Sequence, residues 1–223
     1  MNQPIVQSLQ GITLVGGGPV STRDLRLAVA RAPVLVAADS GADRILRAGL
    51  MPEAVIGDFD SLSAAARMAI PVAKQHPMAE QATTDFDKAL RSVAAPFVLA
   101  LGFAGARIDH GLAVFNTLIR HAQQRCIVVG QADLVFAAPR ALDLRMRVGD
   151  RLSLFPLAPV SGTSEGLEWP IDGLRFAPDG QIGTSNRVVA GWVRLRFDGP
   201  GMLVILPRRR LDALISGLTA PRQ

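Results

Sequence analysis

The chain is expected to fold as an α/β domain with a mostly parallel sheet over residues 1–140, followed by an all-β, sandwich-like domain over 141–223. Three observations carry this. Short apolar runs alternate with helix-length stretches as far as about Pro139, the pattern of strands buried on both faces and joined by helical crossovers. Beyond Pro139 the helix-length stretches largely vanish, and short runs are separated by Gly- and Pro-rich turns. The 223 residues are 49% hydrophobic and 19% charged, enough to build a core in one or two small domains and too apolar for a disordered chain.

The elements follow in order. Ile12-Thr13-Leu14-Val15 is a strand ending in Gly16-Gly17-Gly18-Pro19. Ser21 or Thr22 caps a helix running to about Arg31. Val34 to Ala38 is a buried strand leading through Asp39-Ser40-Gly41 into a helix to about Ala48. Glu53 to Ile56 runs into Gly57-Asp58. Asp85 to Val93 is a helix, Phe97 to Leu101 a strand, Asp109 to Gln124 a helix and Cys126 to Val129 a strand. In the β region, Arg151 to Phe155, Val188 to Phe197 and Met202 to Leu206 are strands, and Val193 to Phe197 alternates apolar and polar as a half-exposed strand does. Arg208-Arg209-Arg210 reads as a solvated end.

Composition sorts the partners. Only Lys74 and Lys88 among the 24 basic residues are lysines, and the acids are mostly aspartates. The net charge of +5 and a pI near 10.8 raise a non-catalytic nucleic-acid binder as one reading. Against it, the basic excess sits mostly after residue 140, and the few aromatics do not alternate with basic residues. Seven aspartates fall between Asp39 and Asp109, which suits a divalent cation and a phosphate ester better than a nucleic-acid face. Cys126 is the only cysteine, so neither a disulfide within the chain nor a thiolate zinc site is available. No apolar stretch is long enough to span a bilayer and the first ten residues do not read as a signal peptide, so a cytoplasmic protein is expected.

Several segments can carry chemistry. In Gly57-Asp58-Phe59-Asp60-Ser61, an extended backbone would point both carboxylates one way with Phe59 packed beneath, a pair fit to hold Mg²⁺. Taken alone, a solvated turn is the commoner outcome. In Thr84-Asp85-Phe86-Asp87-Lys88, the first residues can cap a helix, while Lys88 offers a compact charge for a phosphate. Gly102 to His110 is a Gly-rich loop opening a helix, with Arg107 as a bidentate phosphate donor and Asp109 as cap or ligand. Asp43 can cap the helix after Asp39. Gly16-Gly17-Gly18 lacks the Lys-Ser/Thr of a Walker A loop.

Taken in order, these segments resemble one family. Asp39-Ser40-Gly41-Ala42, Pro52 through Ser61, Gln81 through Ala89, Gly105 through His110, and the later Trp169-Pro170 and Thr184-Ser185-Asn186 look like thiamine pyrophosphokinase over nearly the whole chain. The resemblance implies an α/β ATP-binding catalytic domain, a β-sandwich thiamine-binding and dimerisation domain, and a homodimer with the site shared between subunits. It implies transfer of a diphosphoryl group from ATP to the hydroxyethyl group of thiamine, giving thiamine diphosphate and AMP. Asp58, Asp60 and Asp85 would form the Mg²⁺–phosphate centre, with Asp39 nearby. Gln81, Thr84, Lys88, Arg107 and Asp109 would line the nucleotide and phosphate site. Trp169, helped by Ser185 and Asn186, would meet thiamine from the second subunit. A related Mg²⁺-dependent pyrophosphokinase acting on another hydroxylated heterocycle, such as a pterin, is the neighbouring alternative.

Overall fold

The computed structural model describes residues 3–105 and 107–220, which divide into two compact units. One holds the chain as far as Thr117 with Cys126–Val129; the other holds Leu118–Arg125 and the chain from Gly130 onward. The division thus falls ahead of residue 140.

In the first unit, β1 (Val6–Gln7), β2 (Ile12–Val15), α1 (Thr22–Val29), β3 (Val34–Ala38), α2 (Gly41–Arg47), β4 (Ala54–Gly57), α3 (Ala64–Ala69), β5 (Gln75–Pro77), α4 (Asp85–Arg91), β6 (Val93–Ala94), β7 (Val98–Leu101), α5 (Ile108–Arg120) and β8 (Cys126–Val129) follow one another. The last residues of α5, from Leu118, group with the second unit. The central strands run parallel in the order β8-β7-β2-β3-β4-β5. β2 pairs Ile12 with both Val34 and Val98. All four residues of β2, β4 and β7 are buried, as expected where helices cover both faces. Thr13, the one polar residue of β2, donates its hydroxyl to the Ala32 carbonyl at 2.6 Å, so its burial leaves no unpaired donor. Ser21 caps α1 by accepting from the Asp24 amide.

This topology places the site. β2, β3, β4 and β7 end at Val15, Ala38, Gly57 and Leu101, so Gly16, Asp39, Asp58 and Gly102 emerge at the same edge. The chain leaves β2 toward β3 on one side and β7 lies on the other, the switch point at which parallel sheets open a crevice. A Cβ on Gly41 would stand 1.9 Å from the Val15 carbonyl oxygen, so only glycine lets α2 start this close to the end of β2.

The second unit holds β9 (Asp133–Ala137), β10 (Ala141–Arg145), β11 (Arg151–Pro156), β12 (Val160–Glu165), β13 (Arg175–Phe176), β14 (Gly183–Arg187), β15 (Trp192–Phe197), β16 (Met202–Pro207) and α6 (Leu211–Thr219). Its antiparallel strands fall into two groups, β14-β11-β16-β9 and β10-β15-β12-β13. Val193, Leu195 and Phe197 are buried while Trp192 and Arg194 are exposed, the alternation read from sequence.

Two expectations are corrected here. A helix, α6, follows the β region, burying Leu214 and Leu218. Arg208–Arg210 is a 3₁₀ turn rather than a solvated end. Arg209 and Arg210 both bind Asp150, at 2.8 Å and 2.5 Å, and only 2% of the Asp150 side chain is exposed. A buried carboxylate requires such partners. No helix among the described residues is long and apolar enough to cross a membrane.

Candidate active site

The strand ends of the first unit frame a cleft of about 460 Å³, lined among others by Gly16–Gly18, Asp39, Asp58, Asp85, Lys88 and Phe103. Asp39 follows β3 in a left-handed conformation, φ 44°, and its side chain is buried. Its Oδ2 accepts from the Ser61 amide at 3.2 Å, whereas its Oδ1 is buried with no hydrogen-bond partner among the described residues. Burial first, then the charges of Asp85 and Asp60, push the Asp39 carboxyl up to about 6. Gly57 admits this approach, because a Cβ there would lie 3.0 Å from the Asp39 Cβ.

The Asp58–Asp60 segment is not extended as expected. Phe59 is left-handed, φ 66°, and the Asp60 amide donates to Asp58 Oδ1 at 3.3 Å. The backbone therefore turns, and the carboxylates converge by a bend rather than by alternation along a strand. Phe59 packs against the apolar core of the unit, as the sequence suggests. Oxygens of Asp39, Asp58 and Asp60 lie within 4.8 Å of one another, a separation one hard cation can bridge.

Asp85 lines the same cleft but is tied differently. Thr84 caps α4, accepting from the Asp87 amide at 3.3 Å. One turn on, Lys88 donates to Asp58 Oδ2 at 2.8 Å and to Asp85 Oδ1 at 3.2 Å, with 2% of its side chain exposed. Lys88 is thus a buried counter-charge between two carboxylates, not a mobile one. Its hydrogen bond holds the Asp58 carboxyl below the usual range. Burial works to lower the Lys88 pKa, but the bonds to Asp58 and Asp85 outweigh it and hold the ammonium above its ordinary value.

The remaining candidates are more peripheral. Arg107 lines the cleft and is paired with Asp109 at 2.7 Å, both side chains well exposed. Gln81 is exposed in the loop before α4, and neither it nor Asp109 lines the cleft. In the second unit, Trp169 is 53% exposed and Arg187 lies over its ring at 5.8 Å. Asn186 is buried. Its Oδ1 accepts from the Trp169 amide at 3.3 Å and its Nδ2 donates to the Trp169 carbonyl at 2.6 Å, so its side chain grips the Trp169 backbone. Ser185 is left-handed, φ 62°, and its amide donates to Ser153 Oγ at 2.9 Å.

Sequence reasoning placed Asp39 beside the centre; the structure puts it inside the converging group. The available signal was an Asp directly after a buried strand, at the edge where such sheets bind ligands. The partners that fix the 58–63 loop, Ser61 and Ser63, carried no comparable signal.

Two family models match the chain: "Thiamin pyrophosphokinase, catalytic domain" over residues 25–129 and "Thiamin pyrophosphokinase, vitamin B1 binding domain" over residues 141–201. Among curated proteins, thiamine pyrophosphokinase 1 of Oryza sativa subsp. japonica is 26% identical over 205 residues, covering 75% of this chain and 76% of that protein. Thiamine pyrophosphokinase 3 of the same plant is 27% identical over 194 residues, covering 71% and 72%. Among solved structures, thiamin pyrophosphokinase from Candida albicans superposes with a TM-score of 0.74 at 15% identity, over 92% of this chain and 93% of that one. The enzyme from Geobacillus thermodenitrificans gives 0.72 at 23% identity, over 88% and 96%. These structures share the fold, and the two family models, adjacent and in order across most of its length, show that the chain belongs to the thiamin pyrophosphokinase family.

Proposed function

We propose that this chain is a thiamine diphosphokinase, transferring the diphosphoryl group of ATP to the hydroxyethyl oxygen of thiamine and giving thiamine diphosphate and AMP. The carrying observation is the group of Asp39, Asp58 and Asp60, lying in the unit that contains nearly all of the catalytic-domain match. The reading includes a homodimer at work in the cytoplasm, with Trp169 of one subunit serving the acidic cleft of the other.

The donor set fits Mg²⁺. It is all carboxylate oxygen, and the buried, unpartnered Oδ1 of Asp39 is an acceptor whose desolvation a cation would offset. Asp39, Asp58 and Asp60 would hold the ion, with Asp85 beside them. When bound there, Mg²⁺ supplies neutralisation of the triphosphate charge and alignment for in-line displacement. The protein's own groups do the rest. Lys88 keeps Asp58 ionised and oriented. Arg107, on the cleft wall, exchanges its exposed pairing with Asp109 for a phosphate oxygen. The glycines of Gly16–Gly18 let a phosphate chain approach the backbone. Trp169 presents an aromatic face that suits a cationic thiazolium ring.

The test is a product analysis. Purified protein with ATP, Mg²⁺ and thiamine is expected to form AMP and thiamine diphosphate in equal amounts, and no pyrophosphorylated product when a hydroxymethyl pterin replaces thiamine. Formation of ADP, or nucleotide turnover indifferent to thiamine, would refute it.

A further inference from the structure

The loop carrying Asp58 and Asp60 is fastened outside the cleft by a residue that no part of the reaction uses. Asp43, in the first turn of α2, receives two hydrogen bonds from Ser63. The Ser63 amide donates to Asp43 Oδ2 at 3.3 Å, and the Ser63 hydroxyl donates to Asp43 Oδ1. The same hydroxyl accepts from the Ala66 amide at 3.1 Å, capping α3. Asp43 neither lines the cleft nor belongs to the converging carboxylates. It does not cap α2 either, since it lies within the helix.

The loop needs such a fastening. Phe59 holds φ 66°, a strained conformation that a residue with a Cβ keeps only where its surroundings impose it. Between Gly57 and Ala64 two bonds of the loop backbone reach back to other elements: Ser61 N–H to Asp39 and Ser63 N–H to Asp43. The first uses a carboxylate of the cation group itself. The second is independent of that group, and it joins the start of α3 to α2, whose own start is fixed against β2 at Gly41.

We infer that the Asp43–Ser63 pair is a latch that holds the left-handed turn at Phe59 and so keeps Asp58 and Asp60 facing Asp39, making Asp43 a positioning residue for divalent-cation binding. The inference rests on the reading that these three aspartates hold the cation. Hydrogen-bonded partners behind metal ligands typically change metal affinity 10–100-fold when removed. Asp43→Asn keeps the volume but replaces the charged acceptor by a neutral amide, so the charge-assisted bonds from the Ser63 amide and hydroxyl are weakened.

The test measures Mn²⁺ binding to the whole protein without nucleotide, from the signal of free Mn²⁺ in electron paramagnetic resonance. Asp43→Asn and Ser63→Ala are expected to weaken binding about tenfold, while Ser63→Thr, which keeps the hydroxyl and the cap, binds as the wild type does. Circular dichroism at the same temperature confirms that each variant is folded. A separate Asp60→Asn variant identifies the site and is expected to lose Mn²⁺ binding. If Asp60→Asn loses binding while Asp43→Asn and Ser63→Ala keep wild-type affinity, the latch is refuted and the cation site stands. If Asp60→Asn binds as the wild type does, the cation site and the latch both fall. Weakening in Ser63→Thr equal to that in Ser63→Ala also overturns the latch, because the hydroxyl would then be irrelevant.

Discussion

Lys88 shows how one residue's role changes between sequence and structure. A lysine three residues after an aspartate on a helix is usually a surface ion pair worth a few tenths of a kcal/mol. Here the ammonium is buried between Asp58 and Asp85, and removing one partner of such a group leaves the others uncompensated. Lys88→Met keeps the apolar stem and deletes the charge. Because Asp85 is about one-third exposed, the expected loss is about 2 kcal/mol, below the range for fully buried pairs. Urea denaturation at neutral pH would read it as a lower midpoint with unchanged slope. Turnover is expected to fall about 10²-fold, the size of effect seen when one preorganised charge is lost from a reacting centre. A variant with wild-type midpoint and wild-type turnover would show that Asp58 needs no counter-charge.

Among the elements, the turn leading into α6 makes a pH-dependent claim. Asp150, at the entry to β11, accepts from the Arg147 amide at 2.9 Å and from Arg209 and Arg210. Burial acts to raise its pKa, yet those hydrogen bonds outweigh it and hold the carboxyl below 3.8. A carboxyl depressed on folding contributes stability at pH values above its unfolded pKa, and that stability is lost as pH falls through the folded value. Asp150→Asn is therefore expected to cost about 3 kcal/mol at any pH between 5 and 8. Its deficit against the wild type should begin to close below pH 3.8. Denaturation at pH 7 and pH 3 compares the two; a deficit as large at pH 3 would assign the effect to lost packing. The same segment marks the limit of what the sequence discloses. β3, β4 and β7 were legible because they are unbroken apolar runs, β2 because only Thr13 interrupts its run, and α1 because Ser21 caps it. β5 is a three-residue edge strand without an apolar pattern, α3 buries only Ala66, and α6 has Gly217 inside its pattern, so tertiary packing and not local signal makes them. The site divided likewise: its aspartates stood out by spacing, whereas the bend at Phe59 and the grip of Asn186 on Trp169 depend on backbone geometry that no spacing reveals.

For the molecule as a whole, the placement of charge and not its amount follows the proposed division of labour. The two units hold nearly equal numbers of aspartates, eight and seven. Among the described residues it is in the α/β unit that three of them, Asp39, Asp58 and Asp60, converge, whereas in the β unit arginines meet acids, as Arg194 does Glu165 and Arg196 does Asp143. A high pI therefore says little about partners. If acceptor recognition lies in the β unit, its variants should disturb one substrate only. Trp169→Ala removes an aromatic face whose stacking with a cationic ring is worth about 1–2 kcal/mol. The KM for thiamine is then expected to rise roughly tenfold, with the KM for ATP unchanged. Asn186→Ala should raise the thiamine KM as well, because the Asn186 amide holds the Trp169 backbone at both its N–H and its carbonyl. Residues acting through one another are not additive. The double variant should accordingly be no worse than Trp169→Ala alone. Losses that add in full would instead place Asn186 in direct contact with thiamine, and a matching rise in the KM for ATP would mean that the two recognition tasks are not separate.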